Sequence, residues 1–557
     1  MTRESLLERP GYAYRTPGVY FEWLERTRTV REPRADIAGF VGIAERGPLH
    51  QPVRVESWNA FTSVFGGHIA AGYLAYAVEA FFANGGRTCW VVRVADPAVA
   101  RCAAIELDDE SGNPALHLTA RSEGSWANRL LVTLTRLGPE RFGLTLSLPD
   151  GTAEEWPNLN MRPGDPRNVT TVLDEVREGG SRLVTVRARP GAGPPDARSP
   201  ELRGGMARLT GGVDGLATLT TSHLSGRGSP PSSQWGLLAL EDVDEVAMVA
   251  MPDAMPKPVI AQPPARPRRP RCADPDSRPL PPPEPPPSTD FPPPFGELEL
   301  SELQREIVAH CIRLRDRVAL LDPPPGLRTA GAAIDWRSGF DSSYAALYFP
   351  WVLAPDPLRL AGLLRAVPPS GHVAGVCART PVHEPPAGNR LENAIALDVE
   401  IGDTAHGDLN ERGVNALRLY SGRGIRIAGA RTLSSDRLWQ FLNVRRLVTM
   451  IEEAIEESVP WSVFEPNDTA LWGELDRVVR AFLDNLWRRG MLDGPTAEDA
   501  FFVRCDETTN PPEERDAGRM WCLVGLQPPW PAEFVIVRIG NATGAARGIP
   551  DAESADA

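Results

Sequence analysis

Short apolar runs alternate with amphipathic stretches along most of the chain. Ile37–Ile43 is a continuous apolar run ended by the turn-forming Arg46-Gly47-Pro48, which predicts a buried strand. Leu74, Val78, Phe81 and Phe82 recur at i, i+4, i+7 and i+8, so a helix is expected over about 72–84, stopped by Gly85-Gly86. Cys89–Val94 is a second apolar run, and a β…α-β opening of this kind implies an α/β core. From about 96 to 225 the runs become short and alternating, as at Leu130–Leu134, Phe142–Leu148 and Leu183–Val186, with Gly, Pro and Asn between them. That texture predicts a β-rich insert. The α/β pattern returns after about 230, with a strand at Val246–Val249, a helix over Glu302–Arg313 carrying Leu303, Ile307 and Cys311, and a strand at Val318–Leu321. In the last third, a helix is expected from Asp436 to about Glu457, and a second from Asp468 to the stop at Gly490. Strand-like runs follow at Met520–Leu526 and Phe534–Ile539.

The expected fold class is α/β (mixed α+β) and multidomain. Residues 1–95 form an N-terminal arm and α/β elements, 96–225 the β-rich insert, 230–430 an α/β middle domain, 431–545 an α/β C-terminal core domain with a terminal strand, and 546–557 a flexible tail. One segment breaks the pattern: residues 256–294 hold 17 prolines in 39 positions. Proline lacks the N–H that helices and ladders need, so this stretch is expected to be a polyproline-like surface excursion, either a tolerated insertion or a ligand for a partner domain.

Composition narrows the function. The net charge of −14 argues against non-specific nucleic-acid binding. Lys257, between Pro256 and Pro258, is the only lysine, which leaves neither a phosphate-loop lysine nor a buried Schiff-base lysine. The seven cysteines are widely spaced with no C-x-x-C, which predicts reduced, unpaired thiols. Met1–Pro10 has no apolar core of a signal peptide, and no uncharged run approaches membrane-spanning length, so neither export by that route nor membrane insertion is expected. G-x-S-x-G and H-E-x-x-H are absent, and the eight histidines are scattered, so no catalytic residues, no cofactor and no metal are assigned.

Several stretches, in order, resemble the sheath proteins of contractile-tailed phages and contractile injection systems: Thr16–Tyr20 (TPGVY), Phe40–Pro48 (FVGIAERGP), Phe65–Gly67, Tyr73–Ala77, Phe81–Gly86, Gly211–Gly215, Pro368–Gly375, Asn443–Arg446, Phe464–Asn467 and Cys505–Asn510. The resemblance implies a structural subunit, not an enzyme. Such subunits form stacked hexameric rings in a helical polymer around an inner tube, bounded by baseplate and cap proteins. The polymer is assembled extended and metastable in the bacterial cytoplasm, and its contraction drives the tube through a target envelope. Whether the particle stays in the cell or is released is left open. The resemblance further implies a subtilisin-like middle domain without catalytic residues; the alternative reading is a degenerate subtilisin-like hydrolase.

Two groups of residues are candidates for assembly. Extended arms around Tyr12, Tyr14, Val19, Tyr20 and Phe21, and around Phe534, Val535, Ile536, Val537 and Ile539, are implied to complete sheets of neighbouring subunits. On physical grounds alone they pair equally well within their own subunit. Glu452, Glu453, Glu456 and Glu457 crowd a helix C-terminus, where carboxylates oppose the macrodipole, and Arg445 and Arg446 lie a turn or two earlier. These six are candidate contacts to the tube or to an adjacent ring, the bland alternative for the acids being a solvated face.

Overall fold

The computed structural model describes residues 29–531 apart from 174–178, 197–201, 203–204, 231, 256–281, 286–287, 289 and 359–362. Both proposed arms, Tyr12, Tyr14, Val19, Tyr20 and Phe21 at one end and Phe534, Val535, Ile536, Val537 and Ile539 at the other, lie outside the described residues, as does most of the proline-rich segment.

The apolar runs read as strands become the middle of an eight-stranded sheet. Its order is Gly424–Ile427, Asn415–Tyr420, Ala345–Phe349, Val318–Leu321, Met248–Ala250, Ala38–Gly42, Cys89–Arg93, Pro52–Val55. The six inner strands run parallel; the two edge strands are antiparallel to their neighbours. Strands covered on both faces have no solvent side, which is why they read as unbroken apolar runs. Phe40, Met248, Leu320 and Ala346 face one apolar cluster, and Val41, Val249, Leu321 and Leu347 face the other, as the two-residue period of a strand requires.

Helix Leu74–Ala83 packs against helix Ser370–Arg379 on the first face. Gly371 and Gly375 make this possible. A Cβ on Gly371 would stand 2.5 Å from the Ala77 Cα, and one on Gly375 2.4 Å from the Phe81 carbonyl oxygen. Helix Glu297–Leu314 brings Leu303, Ile307 and Cys311 to the other face. It begins one turn before the expected Glu302, because the Glu299 carboxylate accepts the free Gly296 N–H at 2.8 Å and caps it there.

Residues 104–208 form two antiparallel sheets of their own. One orders Ala104–Asp108, Pro114–Ala120 and Val184–Ala188; the other orders Met206–Arg208, Leu131–Arg136, Phe142–Ser147 and Ala153–Leu159. They share an apolar core that includes Leu107, Leu118, Val132, Leu144 and Trp156. The described end of the proline segment is tied down beside them: Arg208 Nε donates to Pro282 O, Ser288 Oγ to Asp214, and the Leu216 and Ala217 N–H groups to the Asp290 carboxylate.

The chain divides into two compact units, one of residues 32–453 with 491–493 and 527–557, the other of residues 1–31, 454–490 and 494–526. In the smaller, helix Thr469–Arg488 buries Leu475, Val479, Leu483 and Leu486, while Asp468 accepts the Ala470 and Leu471 N–H groups as its N-cap. A two-stranded sheet, Phe501–Arg504 with Leu523–Leu526, completes it. The expected helix from Asp436 starts later, at Leu442; Asp436 instead caps the single 3-10 turn Arg437–Trp439. Strand Pro52–Val55 and helix Trp58–Phe65 were not legible in the sequence, because both are short and mixed in polarity.

Candidate assembly surfaces

The carboxyl ends of parallel strands are where open α/β sheets place their chemistry. Here two buried acids stand there, Asp253 just after Met248–Ala250 and Asp322 just after Val318–Leu321. Both are consumed by backbone. Asp253 Oδ2 accepts the Ile43 and Leu74 N–H groups, and its Oδ1 accepts that of Tyr73, at the start of helix Leu74–Ala83. Asp322 Oδ1 accepts the Ser370 N–H at 2.8 Å, at the start of helix Ser370–Arg379. Burial pushes the carboxyl of Asp253 up to about 6 and that of Asp322 up to about 7. His372, two residues along, is buried; its Nε2 meets the Asn393 carbonyl and its Nδ1 has no partner, so it serves neither Ser370 nor Asp322. This is a helix-anchoring arrangement, and it gives the hydrolase reading no support.

A cleft of 1060 Å³ is lined by Asp403, His406, Asn410, Glu411, Arg431 and Pro531. His406 is committed there: Nε2 bonds the Ala428 carbonyl at 2.8 Å, and Nδ1 lies 3.3 Å from Arg418, which pairs with Asp403. Among the described residues no three His, Cys, Asp or Glu side chains gather to hold a metal, and no helix is long and apolar enough to cross a membrane.

Of the six charged candidates near the helix Leu442–Ser458, two are not surface groups in this subunit. Arg445 is 4% exposed. Its guanidinium lies 4.2 Å from the Trp439 ring centroid and 4.5 Å from that of Tyr344, and bonds Glu452 at 2.9 Å and Thr449 at 3.2 Å. Arg446 is buried and donates through Nη2 to the Ala35 and Cys377 carbonyls, each at 3.0 Å. The reading of both as tube or ring contacts is therefore corrected: they hold the subunit's own loops, because a planar guanidinium satisfies several acceptors at once inside a protein. Glu452 is the exposed partner of Arg445, Glu453 is half-buried, and Glu456 and Glu457 are exposed.

In the smaller unit, each strand of the sheet Phe501–Arg504/Leu523–Leu526 pairs on one side only among the described residues. An unpaired strand edge is a template for another strand. On or next to its strands Phe502, Trp521 and Leu523 are each about half exposed; elsewhere in the unit Phe464 is fully exposed. No periodicity announced this surface, because a two-stranded sheet with one apolar side reads like any hairpin. Arg31 also belongs to this unit, and its N–H donates to Ser458 Oγ at 3.1 Å.

This chain combines a large mixed sheet with a small sheet whose strands each pair on one side only among the described residues. Two family models match it: the phage tail sheath protein central domain over residues 293–433 and the phage tail sheath C-terminal domain over residues 434–540. Over residues 293–540, somewhat under half of its length, the chain is similar to phage tail sheath proteins. It is 28% identical over 253 residues to the tail sheath protein of Vibrio phage KVP40, covering 40% of this chain and 36% of that one. Against the tail sheath protein of Enterobacteria phage T4 it is 24% identical over 272 residues, covering 44% and 40% respectively. The chain thus spans well under half the length of these two relatives. Its fold is that of the sheath in the contracted PVC sheath complex, an extracellular contractile injection system, with a TM-score of 0.54, 18% identity, and coverage of 95% of this chain and 99% of that one.

Proposed function

We propose that this protein is the structural subunit of a contractile sheath. It assembles with copies of itself as stacked hexameric rings around an inner tube, in an extended metastable state, and contracts to drive the tube through a target envelope. The observation that carries this is the pair of sheath domains over residues 293–540 within a chain whose whole fold follows a sheath subunit. Baseplate and cap proteins bound the polymer, and assembly takes place in the bacterial cytoplasm. The arms about Tyr12–Phe21 and Phe534–Ile539 add strands to neighbouring subunits by β-augmentation, and the edges of the small sheet, unpaired among the described residues, support this reading. Glu456 and Glu457 remain candidates for contact with a basic surface of the tube or the next ring. Contraction then needs no nucleotide: rigid-body rotation of subunits releases energy stored at assembly, and the arms keep the lattice connected. Negative-stain electron microscopy of the purified chain tests this. Striated hollow rods or stacked rings are expected from the full chain, and deletion of residues 1–20 should abolish them while leaving folded monomers. Normal rods from the deleted chain would refute the role of the arm.

A further inference from the structure

The smaller unit places two thiols face to face. The antiparallel register of its sheet ends with Arg504 opposite Leu523. One step beyond stand Cys505 and Cys522, which the continued register sets opposite each other as free thiols. Opposed residues of an antiparallel pair have Cα atoms about 4.5–5.5 Å apart, within the range a disulfide spans. Asn510 holds the same place shut. Its Nδ2 donates to the Trp521 carbonyl at 3.0 Å and the Asp506 carbonyl at 3.1 Å and lies 4.0 Å from Cys505 Sγ, while its Oδ1 accepts the Trp521 N–H at 2.6 Å. The two ends of the loop 506–521 are therefore drawn together without any covalent link.

The two thiols differ. Cys505 is buried and Cys522 is half-buried. The neighbouring Cys522 thiol lowers the pKa of Cys505, and Cys505 raises that of Cys522, so Cys505 is the one that ionises first. By contrast Cys89, Cys311 and Cys377 are buried with their thiols pushed up by desolvation. The described cysteines are free thiols, as expected, but the nearness of Cys505 to Cys522 follows from the hairpin register, which a sequence separation of seventeen residues conceals.

We propose that Cys505 and Cys522 are an oxidisable dithiol that closes to an intramolecular disulfide on meeting a peroxide, an oxidant small enough to reach a buried sulfur. The Cys505 thiolate attacks one peroxide oxygen and breaks the O–O bond, giving a sulfenic acid and hydroxide, which takes up a proton as water. Cys522 then attacks the Cys505 sulfur, its proton leaving with the sulfenic oxygen as a second water. Two thiols and one hydrogen peroxide become one disulfide and two waters. The bond ties Phe501–Arg504 to Leu523–Leu526 and closes the loop that carries helix Pro512–Asp516, stiffening the small sheet. None of this depends on the sheath reading.

The test uses the full chain, fully reduced, freed of reductant, and exposed to a small excess of hydrogen peroxide. It is then unfolded, alkylated and cleaved after arginine. Peptide Cys505–Arg515 should appear linked to Met520–Arg538, lighter by two hydrogens than their sum, with Cys89, Cys311 and Cys377 fully alkylated. The thermal midpoint of the native chain should rise by several degrees on oxidation, and Cys522→Ser should remove both the link and the rise. Cys522→Ser, at the half-buried thiol, is the deciding variant because Cys505→Ser disturbs a buried position. Alkylation of both thiols after peroxide treatment, links chiefly to other cysteines, or a rise that survives in Cys522→Ser would overturn the proposal.

Discussion

Arg445 and Arg446 are neighbours in the chain and are buried for different partners, aromatic rings and a carboxylate for one, carbonyl oxygens for the other. The same use of guanidinium recurs at Arg93, which donates to the Ala44, Gly47 and Glu123 carbonyls, and at Arg317, which donates to those of Leu240 and Val243. A chain with one lysine spends its arginines inside, where a rigid fork ties loops together. Arg445→Ala should destabilise the chain by about 3 kcal/mol, since it strips two rings of their cation and leaves Glu452 unpaired, whereas Glu452→Gln should cost below about 1 kcal/mol because that carboxylate is half in water. Urea unfolding of both variants checks the ordering; equal losses would refute it. Asp322 makes a second residue-scale prediction. A carboxyl raised by burial stabilises the fold while protonated, a contribution complete below about pH 4 and lost as pH rises through about 7. Asp322→Asn, which keeps an acceptor for the Ser370 N–H, should therefore melt increasingly above the parent as pH is raised from 5 to 8. His50, His310 and His372, each lowered to about 4 chiefly by burial, act oppositely: their contribution is present above about pH 6.5 and lost as pH falls toward 4. A melting difference that ignores pH would show that Asp322 is not the group responsible.

Helix Thr469–Arg488 was legible to within a residue because every cue agrees: a capping Asp468, apolar positions on one face, and Gly490 just beyond its end. Asp468→Ala should lower stability of the smaller unit by about 1 kcal/mol, and Leu483→Ala, at a fully buried position, by about 3 kcal/mol. Hydrogen exchange of the helix amides reads both, and a larger effect for the cap than for the core leucine would contradict the packing described. The contact of helices Leu74–Ala83 and Ser370–Arg379 was not legible in the same way. In the sequence Gly371 and Gly375 stand only as part of a family motif, and their purpose is close approach to the backbone of another helix nearly three hundred residues away. Gly375→Ala should cost about 1–3 kcal/mol by overpacking, despite alanine's better helix propensity; a stabilised variant in a thermal melt would refute the close approach.

At the scale of the molecule, the proline-rich segment is the clearest break in the sequence pattern. Its described end is anchored through Pro282, Ser288 and Asp290 beside the β-rich insert. Long surface insertions cost little, since loop-closure entropy grows only with the logarithm of length. Replacing residues 258–280 by a flexible linker of about ten residues should leave the thermal midpoint within about 2 °C of the parent, as read by calorimetry. Loss of folding would assign the segment a packing role.

The sequence by itself determined four of the six inner strands and the three longest helices, because unbroken apolar runs and helical periodicity have few other solutions; Ala345–Phe349 and Asn415–Tyr420 were not read as strands. It also pointed to the sheath family through motifs scattered in order along the chain. Only the tertiary structure decided the rest. Charge beside charge on a helix does not reveal which group turns inward, so Arg445 and Arg446 looked like surface and are core. Asp253 and Asp322 stand where an enzyme keeps its acids, yet they hold helix N-termini. The pairing of Cys505 with Cys522 depends on a strand register that no local pattern encodes. In each case the deciding quantity is a contact between residues far apart in the chain, set by how the elements pack and not by what any one of them is.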